Sequence, residues 1–526
     1  MKRRSLLGGS AALAMAHPLR PAAAQRPRAS VLRFVPASDL AALDPVWTTA
    51  GGAATHGYMI WDNLFGIDET MTARPQMLAG YETSADELTW TFTLRDGLMF
   101  HDRNPVRAQD CTASIARWAV KNPLGQTLAA RSQEMRPLDD KRFVIRLKQR
   151  FRQMTYAMGA GNLFIMPERI ARTPATEQIK EYVGSGPYIF KRDEWVSGAS
   201  AAYEKFGAYV PRPEEPNYYA GGKVAHFDRV EWIVQSDPNT AAAALQAGEV
   251  DWLEAPLLDM LPTFSRAPGC KVVNIDPFGS LAMLAFNHLT PPFDNPALLR
   301  ALLPAIDQEE FVRAWIGDQQ EYGQYPVGFF TAGTPMANAA GMDAFTAPRD
   351  LDKAKRLIRD AGYRNEKIVL MAPHDLPEIN ALSQVARDLL VRLGLNVDFQ
   401  VMDWGTLVAR RAKQEPVAQG GWNMFCTTWQ GLWMANPGNS FPLRTNGKDA
   451  WFGWPSDSRI EALRDAWLDA PDVAGQKTIC EQIQLRAFET LPFMPLGQWY
   501  YPRAARSDLT DFVRCQDVLF WGVRRA

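Results

Sequence analysis

The chain has 526 residues, 47% of them hydrophobic, with a formal charge of −1 and five cysteines. Such a length gives two or more domains with large apolar cores and no need of disulfide staples. A balance this close to neutral, without basic runs, excludes nucleic acid and anionic membrane as main partners.

At the start, Lys2, Arg3 and Arg4 form a positive end, Leu6 to Met15 a short apolar stretch, and Ala22-Ala23-Ala24 a small-residue cleavage site. Residues 1–24 therefore read as an export signal, of either the ordinary secretory or the twin-arginine kind. Cleavage takes the charge from −1 to −5, because it removes Lys2, Arg3, Arg4 and Arg20 and no acid. No cysteine precedes Cys111, so no lipid anchor is expected, and a freely diffusing periplasmic protein fits. Cys111, Cys270, Cys426, Cys480 and Cys515 are scattered and odd in number, so at least one is unpaired.

Thr89 to Leu94 alternates as a half-buried strand, Asp96-Gly97 turns the chain, and Leu98 to Phe100 reads as a second short strand. After Pro105 a helix is expected, with Val106, Cys111, Ile115 and Trp118 on its apolar face. Val183 to Lys191 (VGSGPYIFK) is a glycine turn into a strand. Phe227 to Leu253 is strand, helix from Asn239 to Ala247, glycine stop at Gly248, then a strand beginning at Val250-Asp251.

Leu281 to Asn287 is a buried strand, and Pro291 to Val312 reads as helix. Asp350 to Gly362 is an amphipathic helix with Asp350 as N-cap. Lys367 to Met371 is a strand, Ile379 to Leu393 a helix closed by Gly394, and Asn396 to Met402 a further strand. Strands separated by helices imply a largely parallel sheet covered on both faces.

The run from Thr89 to Arg117 resembles the signature of the family 5 solute-binding proteins of ABC importers. Leu94, Arg95, Gly97, Phe100, His101, Asp102, Pro105, Ala108, Asp110, Ser114 and Arg117 stand where that family has them. Arg103 replaces a usual glycine and Cys111 a usual valine. With the later segments the likeness comprises six motifs in family order, from about Asp44 to beyond Pro495.

It implies an α/β fold of two lobes, the type II, cluster C-like periplasmic binding protein. Lobe I would comprise 25–275 with 490–526, including an inserted subdomain at about 60–182, and lobe II 276–489. Two crossings of the chain would make a two-segment hinge, with the solute held between the lobes. The implied function is capture of a small solute for delivery to the membrane subunits of an ABC permease, by a monomer without enzymatic activity or cofactor.

Peptide binders of the family place an aspartate from a loop on the ligand's ammonium group. Here that loop is Trp429 to Pro437, with Gln430, Trp433 and Asn436 but no carboxylate. An ordinary free-amine dipeptide would then be buried with its charge unpaired, so a more aromatic or apolar solute is expected. Six of the seventeen tryptophans fall between 404 and 454, and rings there could line a pocket, hold a cation or pack the lobe. Trp429 and Trp433 are the first choices for the pocket, with Trp404 as a further candidate. Trp47, Thr48 and Thr49 match the family segment facing the cleft, and Trp499 follows the return crossing. The second reading for these four is a surface loop and a core strand.

Catalytic motifs are missing from the sequence: there is no nucleophile elbow, no H-E-x-x-H, no P-loop and no dinucleotide glycine pattern. The five histidines beyond the signal lack metal-ligand spacing. A metal-chelate binder of the nickel type, or a secreted hydrolase on the same scaffold, are the alternatives.

Overall fold

The computed structural model describes residues 30–48 and 50–526; the export signal read at residues 1–24 lies outside them. Two mixed sheets organise the chain. The first has seven strands in the order Cys270–Val273, Arg503–Arg506, Trp252–Leu253, Val31–Val35, Arg229–Ile233, Ser200–Lys205, Tyr188–Phe190. The second has six, in the order Gly323–Gln324, Phe493–Trp499, Ser280–Phe286, Met424–Gln430, Ile368–Pro373, Val397–Met402. A separate four-stranded antiparallel sheet joins Leu78–Thr83, Thr89–Leu94, Arg142–Leu147 and Ser132–Pro137.

The expectation of a largely parallel sheet needs correcting. Val31–Val35 is parallel to both neighbours, and Ile368–Pro373 to both of its own. All other pairings in the two large sheets are antiparallel. Connectivity accounts for two of these pairs: strands that pass between the sheets return beside the strand they left with. Cys270–Val273 pairs antiparallel with Arg503–Arg506 in one sheet, and Ser280–Phe286 with Phe493–Trp499 in the other. The chain thus leaves the seven-stranded sheet between Val273 and Ser280 and re-enters it between Trp499 and Arg503, as one two-stranded ribbon.

Strand Thr89–Leu94 alternates half-buried and buried residues as its pattern requires. Leu98 to Phe100 makes only a single bridge, Met99 to Pro105, rather than a strand. Helix Ala108–Ala119 follows, its Cys111, Ile115 and Trp118 buried. Pro291 to Val312 is not one helix. Pro296–Ala301 and Gln308–Ile316 are separate helices, because Pro304 lacks an amide hydrogen and Asp307 caps a new start through Glu309 and Glu310.

The signature residues do structural work. Arg117 grips Asp44 with two nitrogens, at 3.1 and 2.7 Å, and both side chains are almost fully buried. His101 bonds the Gly186 carbonyl and accepts from the Gly184 amide, while burial holds its pKa down to about 4. Gly184 has no room for a side chain, since a Cβ would sit 1.5 Å from the Ile60 carbonyl oxygen. Arg103, in the usual glycine's place, takes a φ of 69°, so it keeps the left-handed turn at a steric cost.

Candidate functional site

The Arg117–Asp44 pair positions one wall of a cleft. Asp44 also accepts from the amides of Val46 and Ile179, which fixes the loop that carries Thr48 and leads into helix Gly51–Ile60. Trp118 and Asn122 complete this wall, both held to the Gly161 carbonyl, at 2.6 and 3.2 Å.

The facing wall begins where strand Met424–Gln430 ends. Gly431 lies so close to Phe278 that a Cβ would stand 2.6 Å from its side chain, and its amide donates to the Gly279 carbonyl at 2.7 Å. The next turn carries Trp433. Its position is tied to the C-terminal segment by the Leu432 amide, which donates to Gln516 Oε1 at 3.1 Å.

Between the walls lies a compartment of about 700 Å3, counting the part open to solvent; Thr48, Trp118, Gln430, Trp433, Gln516 and Asp517 help to line it. Gln430 and Gln516 also border a second compartment, of about 1320 Å3 on the same measure, with Glu254, Asp276, Glu378, Tyr501 and Arg503 around it. The two glutamines, uncharged and able to donate or accept, thus partition the cleft.

Thr48, Gln430 and Trp433 are the predicted residues that the structure brings together. Asn436 is buried nearby, bonded to the Tyr156 hydroxyl. Trp429 instead stacks on Phe441, with ring centroids 5.5 Å apart. Trp47 is 43% exposed and lines neither compartment, and Thr49 lies outside the described residues. Trp499 is fully buried in the six-stranded sheet, where neighbours on both sides cover it. Among that strand's residues it is a core ring, not cleft floor.

Trp404 belongs to a different arrangement. The Arg411 guanidinium sits among the rings of Trp404, Phe425, Trp451 and Phe452, between 4.7 and 5.9 Å from their centroids. Trp422 and Trp454 pack behind it, both buried. The cation held by these indoles is therefore the chain's own, and burial lowers the Arg411 pKa to about 10.

Sequence reasoning missed Gln516, Asp517 and Arg503. A signal was available: Asp517 is the lone acid in the apolar run Val518 to Val523 and its approach. Asp517 is 5% exposed, and burial raises its pKa to about 6. Burial likewise raises Asp276 and Glu378. Among the described residues no three His, Cys, Asp or Glu side chains converge as a metal site, and no helix is long and apolar enough to cross a membrane.

Comparison with known proteins gives a consistent picture. The family description "Bacterial extracellular solute-binding proteins, family 5 Middle" matches residues 72–451. A curated relative, "Probable peptide ABC transporter periplasmic-binding protein y4tO" of Sinorhizobium fredii, is 38% identical over 490 residues, covering 93% of this chain and 92% of its own. Among solved structures, the dipeptide binding protein of Pseudoalteromonas sp. SM9913 in complex with Met-Leu has a TM-score of 0.78 at 18% identity. It covers 94% of this chain and 100% of that one. The binding protein AgaA of A. tumefaciens R10, in complex with agropinic acid, has a TM-score of 0.77 at 21% identity, covering 94% and 99%. Both share the type II periplasmic binding protein fold with this chain.

Proposed function

The chain belongs to the family 5 bacterial extracellular solute-binding proteins, and on that premise we propose that it captures a small, peptide-like solute for an ABC importer. The observation that carries this reading is the compartment walled by Thr48 on one side and by Gln430 and Trp433 on the other. The name of the 38% identical relative supports a peptide-like ligand. A cleft faced by indole and amide groups supports one with a ring-bearing or apolar part.

We divide the chain into lobe I, residues 25–275 with 490–526, and lobe II, residues 276–489, with a subdomain at about 60–182 in the first. The paired ribbon of strands between the two large sheets supports a hinge there. Capture then needs no chemistry: a solute touching both walls favours closure, and the permease responds to the closed form. His56, His101 and His288 are tied into the interior by hydrogen bonds, which supports binding rather than turnover. Export to the periplasm follows from the signal at residues 1–24.

Native mass spectrometry of the protein isolated from the periplasm tests this reading. A retained solute at one per chain, released intact on unfolding, is the expected result. A retained peptide or ester that the protein cleaves would establish the hydrolase alternative instead.

A further inference from the structure

We propose that Asp517 is the cation anchor of the cleft, receiving an ammonium or guanidinium group of the captured solute. This rests on the reading of the cleft as a solute site, and it moves the anionic anchor from the Trp429–Pro437 loop to the C-terminal segment.

The carboxylate lines the same compartment as Thr48, Gln430 and Trp433, and it is buried. It accepts a hydrogen bond from the Tyr219 hydroxyl at 2.7 Å through Oδ2. Among the described residues no lysine, arginine or histidine pairs with it. Arg503 is the cation whose field reaches it, but that guanidinium donates to the Gln516 carbonyl, and its Nε and Nη1 are buried without a protein partner. Glu254 and Asp276 act on Asp517 with the opposite sign. Arg503 thus acts on the Asp517 carboxyl with one sign and the two acids with the other. Lys121, the basic side chain on the compartment's border, is exposed at the rim.

A carboxylate kept out of water without a counter-ion is unfavourable. Burial accordingly raises its pKa to about 6. A cation delivered by the solute removes the penalty only while bound, so the unfavourable term becomes binding selectivity. The loop without an acid then no longer excludes amines; it only changes the segment from which the amine is held.

Isothermal titration of the mature chain, stripped of retained solute, decides the matter with three probes. They are a pool of free-amine di- and tripeptides, the same pool N-acetylated, and agmatine. Asp517→Asn, nearly isosteric, is titrated beside the wild type with circular dichroism as folding control. The expected result is binding of the free-amine pool, weakened at least tenfold by acetylation and by Asp517→Asn. Equal binding of both pools, or an unchanged affinity in a folded Asp517→Asn, overturns the anchor and leaves the peptide reading intact. Agmatine bound through Asp517 while neither pool binds keeps the anchor and removes the peptide reading. If no cationic probe binds the wild type, the anchor is overturned. Should the variant not fold, the free against acetylated comparison on the wild type carries the decision.

Discussion

Nδ2 of Asn436 donates to the hydroxyl of Tyr156 at 2.6 Å, across 280 positions of sequence. Tyr156 belongs to helix Met154–Ala160, beside the compartment wall at Gly161, and Asn436 to the loop that carries Trp433. Asn439 reaches the same hydroxyl at 3.4 Å, while Arg131 and Arg152 both hold Asp469 farther along this seam. These bonds join the two walls over the cleft.

Tyr156→Phe removes the shared hydroxyl without opening a cavity. A net hydrogen bond contributes about 0.5–1.5 kcal/mol, so solute affinity should fall roughly two- to tenfold. The unfolding midpoint should fall as well, because the buried amides of Asn436 and Asn439 lose this acceptor, at a cost of about 1–3 kcal/mol. Titration calorimetry beside thermal melting checks this, and an affinity equal to wild type would remove the bond from closure.

Arg117→Met leaves Asp44 buried without its partner. Breaking such a pair costs about 3–5 kcal/mol. Urea denaturation should show this loss, and the double change Arg117→Met with Asp44→Asn should recover part of it, since the stranded charge is gone. Full recovery is not expected, because Asp44 also orders the amides of Val46 and Ile179.

Trp433→Ala and Trp429→Ala should behave differently although they lie four residues apart. Trp433 lines the compartment, so its loss should weaken the solute more than tenfold with little effect on stability. Trp429 stacks on Phe441 behind the wall, and its truncation should cost on the order of 2–3 kcal/mol of stability. Equal effects of both on affinity and on melting would show that the loop acts as one unit.

The fourth expectation concerns pH. Asp517 takes up a proton at about 6 when folded and near 3.8 when unfolded. Between those values the folded state binds more protons, so this group's contribution to stability falls as pH rises from about 4 to 6. The total is about 3 kcal/mol, counted at the linkage constant per pKa unit. Asp517→Asn should therefore be more stable than wild type at pH 7 and show no advantage at pH 4. Parallel melting curves of both proteins across this range are the check.

Local pattern was legible where one face of an element decides its environment. Thr89–Leu94 and the helix capped by Asp350 follow directly from spacing and end residues. The direction of neighbouring strands was not legible, because it depends on where the chain crosses between sheets. In the site, the loop matching Thr48 and the loop bearing Gln430 and Trp433 were readable from order along the chain. The crowding of indoles between 404 and 454 did not by itself separate pocket from packing, since Arg411 occupies the faces of Trp404 and Trp451 from a position that composition does not mark, while Trp433 lines the compartment. Asp517 was hidden by distance: it comes to the cleft from the C-terminal end, 84 residues after Trp433.

The Arg411 cage also determines what light will report. Of seventeen indoles, Trp118 and Trp433 border the Asp517 compartment, while Trp404 and Trp451 face a fixed guanidinium whatever the cleft contains. Emission on filling that compartment is then a small difference carried by two fluorophores on a large constant background, one from each wall of the gap they would both report.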